Sequence, residues 1–425
     1  VKLNYKQTFF IGLAFMSICS FWQLYDNLVP LMLSNTFQIG ETVTGIIMAL
    51  DNVLALFLLP LFGSLSDKVH TKLGKRTPFI IIGTALAIVL MMLLPLAANT
   101  NNFLLFIVSL GLLLIAMGSY RTPAVALMPD VTPKPLRSQA NAVINLLGTL
   151  GAIFTLIISK VLIADVPKPD YSLVFQAVSI FMVLAVIILV LKIKENTLLA
   201  SNTGLNLEED TEKTKENIHE VNPLQPAVKR SLIFLLISVF LWFMAYNAVT
   251  TAFSRYAAKV WGLQGGNFAN ALLVATGAAT ISYIPIGFLS VKLGRKKTIL
   301  TGILLMSFSY FLGTAFTDYS PVIYLVFAMT GIGWAAINVN SYPMVVEMGK
   351  GTAVGKYTGL YYTFSMSAQI CTPILSGFLL ENVSYRTLFP YSVVFSLLSF
   401  CTMLLVKHGD SKPAKKSGTL EHFDN

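Results

Sequence analysis

Residues 77–120 read TPFIIIGTALAIVLMMLLPLAANTNNFLLFIVSLGLLLIAMGSY, without one Asp, Glu, Lys or Arg. Only the polar turn Ala98-Asn-Thr-Asn-Asn102 interrupts the run. It leaves two apolar lengths of about 20 residues, and at about 1.5 Å per helical residue each crosses a hydrocarbon core of about 30 Å. The composition of the whole chain agrees. Of its 425 residues 55% are hydrophobic and 12% charged, about half the ~25% charge of an ordinary soluble protein, and the mean hydropathy is +0.71.

Marking apolar segments bounded by charges, Pro and Gly predicts spans near 7–33, 42–66, 78–98, 103–129, 138–160 and 171–191, and after a polar interval near 231–254, 267–290, 298–316, 321–346, 357–380 and 387–406. The first is longer than the apolar part of a signal peptide and runs straight into a second span, so it is expected to be retained. The expected architecture is an all-α membrane protein of twelve transmembrane helices in two six-helix pseudo-repeats. A first bundle covers 1–195, a cytosolic linker 196–229, a second bundle 230–407 and a cytosolic tail 408–425. The linker carries the mixed-charge run Glu208-Glu-Asp-Thr-Glu-Lys-Thr-Lys-Glu216.

Lys and Arg set the orientation, because positive loops stay on the cytoplasmic side. With both termini inside, 24 of the 30 Lys and Arg fall on the cytoplasmic side and 5 outside, Arg121 lying within a span. That bias supports an even number of spans and accounts for the formal net charge of +10 without a nucleic-acid partner. The lipid bilayer is the partner that the charge implies. Cys19, Cys371 and Cys401 all lie in apolar segments with no metal or disulfide spacing and read as small packing residues.

An internal repeat ties the halves together. Pro60-Leu-Phe-Gly-Ser-Leu-Ser66 followed by Lys72-Leu-Gly-Lys-Arg76 is echoed, about 220 residues on, by Pro285-Ile-Gly-Phe-Leu-Ser290 followed by Lys292-Leu-Gly-Arg-Lys296. Each copy joins the second and third spans of its half. Parallel repeats of this kind build transporters whose solute site lies near mid-membrane between the halves.

The run Gly63-Ser-Leu-Ser-Asp-Lys-Val-His-Thr-Lys-Leu-Gly-Lys-Arg-Thr-Pro-Phe-Ile80 resembles the loop 2/3 signature of the major facilitator superfamily. Its longer spacing is similar to that of plant sucrose/proton symporters and their animal relatives, where S-D-R is followed by G-R-R-x-P-F-I. Pro123 to Asp130 and Arg137-Ser-Gln-Ala-Asn-Ala142 resemble the fourth and fifth spans of that group. The glycoside-pentoside-hexuronide/cation symporters also align through Gly74-Lys75 and Pro78, but the two carboxylates of their sodium site fall on Ala55 and Leu59. The resemblance implies a major facilitator fold and proton-coupled sugar or glycoside symport, disaccharide-like in substrate, and points away from sodium.

Three residues well inside the spans are ionisable by type: Asp26, Asp51 and Arg121. Burying such a group costs at least about 2.5–3.5 kcal/mol, so a functional reading is the default. Helical rise puts Asp26 about 10 Å, Asp51 about 14 Å and Arg121 about 27 Å from the outer edge. Asp51, the most central acid, is the first candidate for the coupling proton and Asp26 the second; a fixed Asp–Arg structural pair is the alternative. No pair is chosen, because Arg121 reaches either acid only with a shifted boundary or a bridging water. At the cytoplasmic ends Asp67, Lys75, Arg76, Asp130 and Glu347 are candidate gating charges, or charges that set topology alone.

Polar and aromatic residues recur four apart, on shared helix faces. Trp22, Gln23, Asn141, Asn145, Trp242, Tyr246, Asn338 and Tyr361 are the candidate solute-binding residues, since aromatic faces suit sugar C–H surfaces and amides suit hydroxyls. Interfacial anchoring and interhelical hydrogen bonds explain the same residue types. His70, His219, His408 and His422 lie outside the spans in no ligand pattern, so no metal or cofactor is expected. There is no P-loop, and an ion or solute gradient is the expected energy source. The sequence therefore reads as a monomeric multi-pass secondary transporter of the cell membrane, not an enzyme, with a proton and a small solute, a sugar, as ligands. Export of an amphipathic compound and a non-transporting solute receptor are the rival readings.

Cysteine in place of Asn101 or Asp318 is expected to react with an impermeant thiol reagent added outside, and in place of Lys75 or Lys213 only from inside. Outside labelling at position 213 in sealed cells contradicts the two-half topology.

Overall fold

The computed structural model describes residues 3–132, 137–200, 225–348 and 354–409. Among them are twelve long helices: α1 Tyr5–Leu31, α2 Glu41–Lys68, α3 Thr77–Asn99, α4 Phe103–Val131, α5 Arg137–Leu162, α6 Ser172–Lys192, α7 Pro226–Val260, α8 Ala269–Leu293, α9 Arg295–Gly313, α10 Ile323–Glu347, α11 Val354–Asn382 and α12 Leu388–Leu404. The helices start where local chemistry predicts. The side chains of Asn4 and Asn102 accept from the amides of Gln7 and Leu105 and cap α1 and α4, and α3 and α7 carry proline in the first turn, where its missing N–H costs nothing. Prolines also lie deeper inside α1, α2, α4, α8, α10 and α11, as membrane helices tolerate more readily than soluble ones.

Eleven of the helices are long and apolar enough to cross a membrane on those grounds alone. The twelfth, α9, opens on Arg295, Lys296 and Lys297, and this basic first turn lowers its average although Thr298 to Gly313 are uncharged. Boundaries follow the sequence except in α7, which overruns the expected 231–254 to reach Val260. Arg255, expected in a loop, lies inside that extension and is buried.

The packing repeats. In the first half α1 lies against α5 and α6, α2 against α4, and α3 against α4 and α6. In the second α7 lies against α11 and α12, α8 against α10, and α9 against α10 and α12. Adding six to each member of the first set gives the second, so the fold is a pair of parallel six-helix repeats. The halves meet through α2 with α11, α5 with α8, and α1 with α7. The first of these contacts is close: a Cβ on Gly45 would strike the Pro373 carbonyl, and one on Gly377 the Glu41 carbonyl, the small-residue approach typical of membrane helices. The face carrying loops α1–α2, α3–α4 and their successors is called the odd-loop face, and the opposite one the even-loop face.

On the even-loop face the α2–α3 turn is held from below. Gly74 takes φ +118°, where glycine is at ease, and the hydroxyl of Thr71 donates to its carbonyl at 2.7 Å. Glu195, fully buried, accepts from the amides of Lys75, Arg76 and Thr77 at 2.9 Å each and from the Thr77 hydroxyl at 2.7 Å. These amides form the positive end of α3, where a carboxylate is favoured. A Cβ on Gly74 would run into Glu195 Oε2, so the glycine also keeps the space open. Asn196 donates to the carbonyls of Thr71 and Lys72. Residues 195–200 are thus helical and docked, whereas the rest of the expected linker up to 224, with its charged run and His219, and the tail beyond 409, with His422, lie outside the described residues.

Glu195→Ala removes a charged acceptor from four donors and is expected to lower stability by about 1.5–3 kcal/mol, read as thermal unfolding in detergent, with Glu195→Gln intermediate. An unchanged unfolding temperature would mean that the turn stands without the carboxylate.

Candidate functional site: a polar cavity between the halves

Where α1 crosses α7 both halves line a partly open cavity of about 200 Å³. Gln23 and Asp26 of α1 face Tyr246, Asn247 and Thr250 of α7, with Thr276 of α8, Tyr310 of α9 and Phe327 and Thr330 of α10 around them. The two central helices are pinned beside it, because the hydroxyl of Ser254 on α7 donates to the Asn27 carbonyl of α1 at 3.2 Å. Thr250 and Thr251 turn their hydroxyls back onto the Asn247 carbonyl, and Thr330 bonds Ser309 at 2.6 Å. Several polar groups of the lining make no hydrogen bond among the described residues. The amide nitrogen of Asn247 and the hydroxyl of Tyr310 are buried without a hydrogen-bond partner, and no hydrogen bond or ion pair from the described residues reaches the Asp26 carboxylate. Behind Tyr246 its ring stacks flat on Trp334, centroids 3.8 Å apart, and Phe243 meets Trp334 edge-on.

A second void of about 10 Å³, room for one water, lies beside the first and is lined by Trp22, Asp51, Gly118 and Arg121. The Arg121 guanidinium sits over the Trp22 ring, 5.5 Å from its centroid, a cation–π arrangement. Asp51 accepts from the Asn52 side chain at 2.7 Å. Arg121 makes no ion pair with Asp26 or Asp51 among the described residues; it and Asp51 share the one-water void instead.

The expected solute residues divide. Gln23 and Tyr246 line the cavity with Asp26, and Trp22 joins Asp51 and Arg121. Tyr361 is buried against Phe243, its hydroxyl bonded to Ser341, so it backs the aromatic wall. Trp242 is fully buried within the second half, and Asn338 bonds Tyr283 at 3.4 Å; Asn141 and Asn145 are exposed on α5. None of these four lines the cavity. Asn247 and Tyr310 were not expected. Asn247 adjoins Tyr246 and was within reach of the same four-apart reasoning, but Tyr310 sits on an outer helix whose sequence gives no sign of reaching inward.

The charged residues of the even-loop face do come together. Arg76, its side chain buried, contacts Asp67 at 2.5 Å and Asp130 at 2.8 Å, and Lys75 contacts Asp130 at 3.0 Å. The second half repeats the arrangement with Arg295 paired to Glu347. On the odd-loop face polar contacts join the halves. Glu41 of α2 and Arg255 of α7 form an ion pair at 2.6 Å, their side chains 4% and 3% exposed. Tyr385 donates to Glu41 at 2.6 Å, Glu381 accepts the Thr42 amide at 2.7 Å, and Asn267 bonds Lys160 and Asp165.

The family profile described as Major Facilitator Superfamily matches residues 11–283 and 267–423. The chain belongs to the major facilitator superfamily. Among curated members, 124 residues are 30% identical to the chloramphenicol resistance protein CraA of Acinetobacter baumannii, over 29% of this chain and 30% of that one. A stretch of 137 residues is 26% identical to the sucrose transport protein SUC3 of Arabidopsis thaliana, over 28% of this chain and 23% of that one. The chain thus spans less than a third of either relative it matches. Two solved major facilitator structures share the fold along nearly the whole chain. A POT family transporter bound to a thioalcohol-conjugated peptide has a TM-score of 0.71 at 12% identity over 95% of both chains. A D-xylose-proton symporter has a TM-score of 0.69 at 14% identity over 95% of this chain and 98% of that one.

Removing one partner of a buried ion pair strands the other charge, at a cost of about 3–5 kcal/mol. Glu41→Gln is expected to lower the thermal unfolding midpoint in detergent clearly, and Glu41→Gln with Arg255→Gln to recover part of the loss. Equal midpoints for wild type and the single variant would show that water already reaches the pair.

Proposed function

We propose that the chain is a secondary active transporter that carries a sugar or glycoside together with a proton by alternating access, its even-loop face in the cytoplasm of a cell-membrane protein. Residues 1–195 and 230–407 are taken as the two bodies that rock about the cavity. The observation that carries this reading is the cavity: one carboxylate, amides, hydroxyls and aromatic rings, contributed by both halves and with no lining cation. Amides and hydroxyls complement an uncharged, hydroxylated solute, and the likeness to a sucrose transport protein supports the same class.

The carboxylate supplies coupling. Asp51 shares its void with Arg121 and accepts from Asn52, so protein groups offset its charge. Asp26 faces the solute cavity with no such group bonded to it, and an ion arriving there both balances it and alters the site that solute enters. The geometry therefore moves the proposed proton from Asp51, the first choice on depth alone, to Asp26. Asp67, Lys75, Arg76, Asp130, Arg295 and Glu347 lie beyond the cavity and serve as even-face latches, while the Glu41–Arg255 pair closes the odd face in this state. The likeness to a chloramphenicol resistance protein favours a second reading, export of an amphipathic compound.

In proteoliposomes with an imposed pH gradient, Asp26→Asn is expected to abolish accumulation of the transported sugar while exchange between equal pools persists. Loss of accumulation in Asp51→Asn alone would move the proton to Asp51. Accumulation retained in both variants, or restored by sodium, would sink proton coupling through these acids. Uptake of chloramphenicol but of no sugar would favour export.

A further inference from the structure

We propose that Glu381, at the end of α11, is a helix cap that the second half supplies to α2 of the first, and that this cap biases the protein toward the state in which its odd-loop side is shut. The inference rests on the proposed rocking of two bodies and adds to it a device that sets how readily the odd side opens.

The need for a cap comes from the sequence. An α-helix leaves its first amides without a partner inside the helix, and a Ser, Thr, Asp or Asn just before the first turn ordinarily accepts from one of them. Asn4 and Asn102 do this for α1 and α4. The residue in that place before α2 is Gly40, which has no side chain to offer. The acceptor arrives from the other half instead: the Glu381 carboxylate takes the Thr42 amide at 2.7 Å. Thr42 is the second residue of α2, one of the two positions that a local cap bonds, and the carboxylate also meets the positive end of the helix dipole.

Gly40 shows that the place is shaped for the incoming acid. Its backbone, at φ −62° and ψ 157°, suits any residue, so glycine is not needed there for its conformational freedom. A Cβ at that position would run into the Glu381 carboxylate, and the missing side chain is what lets the acid in. The matching seam across the molecule carries the same parts. Gly265, about 220 residues on from Gly40, precedes α8, and a Cβ on it would strike the carboxylate of Asp165 in the first half. That acid accepts from the Asn267 side chain at 2.6 Å, not from a helix amide, so of the two helices it is α2 whose cap comes from the opposite half. Glu381 is exposed, whereas Glu41 and Arg255 beside it are buried. Water replaces an exposed carboxylate as the halves part, so this bond is made and broken without stranding a buried charge. Loss of the cap therefore raises the energy of the odd-closed state alone, and the odd-open population grows by the same factor.

The test is the rate at which a small impermeant thiol reagent, added outside sealed cells that express the full chain, reacts with a cysteine placed at Thr276 in the cavity lining, with Cys19, Cys371 and Cys401 replaced by serine. The reagent reaches the cavity from that side only while the odd face is open, so the rate follows the odd-open population. Glu381→Ala and Gly40→Ala are each expected to raise it about 10-fold, as loss of a helix cap does, and Glu381→Gln to raise it less. The two alanines together are expected to do no more than either alone, because both break the same bond. Asp318→Asn alters an odd-face carboxylate that accepts from Thr317 within its own half, and is expected to change nothing. Rates unchanged in both single variants, with the reagent still entering, would overturn the cap and leave the rocking carrier standing. A lower unfolding temperature at an unchanged rate would overturn it too, since the acid would then hold the helix equally in both states. A double variant near about 100-fold would show that the glycine and the acid act separately, which overturns the shared bond. No labelling from outside in wild type or any variant would defeat the alternating-access reading and the cap together.

Discussion

A carboxylate and a guanidinium, both almost wholly withdrawn from water, hold one half of this protein to the other. Glu41 opens α2 and Arg255 lies in the last turns of α7, and neither is tolerable there alone. The pair exists only because the halves are docked, and the docking is what closes the cavity over on that side. Tyr385 saturates the other oxygen of Glu41, and the glycine-lined passage of α2 over α11 brings the backbones close enough for the bond to form. Next to Arg255 on α7, Ser254 donates its hydroxyl to the Asn27 carbonyl of α1, and the crossing of these two helices sets Asp26 and Asn247 on the same cavity.

The opposite face is organised within each half. Arg76 gathers Asp67 and Asp130 at the ends of α2 and α4, Glu195 ties the end of the sixth helix to the start of the third, and Arg295 with Glu347 repeats the first pairing in the other half. The α2–α3 turn of the first half is fixed by a buried acid, whereas in the second half Lys296 donates to carbonyls at the end of α12 at 2.9 and 2.6 Å. Both solutions join the same pair of helices through a terminal dipole, once with an anion at an amino end and once with a cation at a carboxyl end.

How much of this was legible depended on whether a property is local. Twelve helices, their order and the two repeats are written in apolar run lengths and in the doubled Lys-Leu-Gly turn, and these survive any tertiary arrangement. The gathering of Asp67, Lys75, Arg76 and Asp130 was also within reach, because charges at neighbouring helix ends have few other partners. Arg255 fell outside the expected span 231–254, since an apolar run ends at a charge and only its partner Glu41, more than 200 residues away, lets the helix continue past it. Tyr310 was invisible for a related reason: α9 lies on the outside of its half in connectivity, and that one tyrosine reaches the cavity is a matter of packing. Trp242 shows the converse, a large aromatic on a central helix that packing buries out of reach of the cavity.

The lining of the cavity is lopsided. Two of its residues, Gln23 and Asp26, come from the first half, and the rest from α7 to α10 of the second. A molecule lodged there would therefore be cargo of one half, carried along by it, while the other half contributes little more than a single charged fingertip. On the proposed rocking of the two bodies, the cargo would stay with its carrier and only its grip on α1 would be renegotiated. The carboxylate would then act as a tally of whether the seat is filled, and it would be a tally kept by the half that does not own the seat.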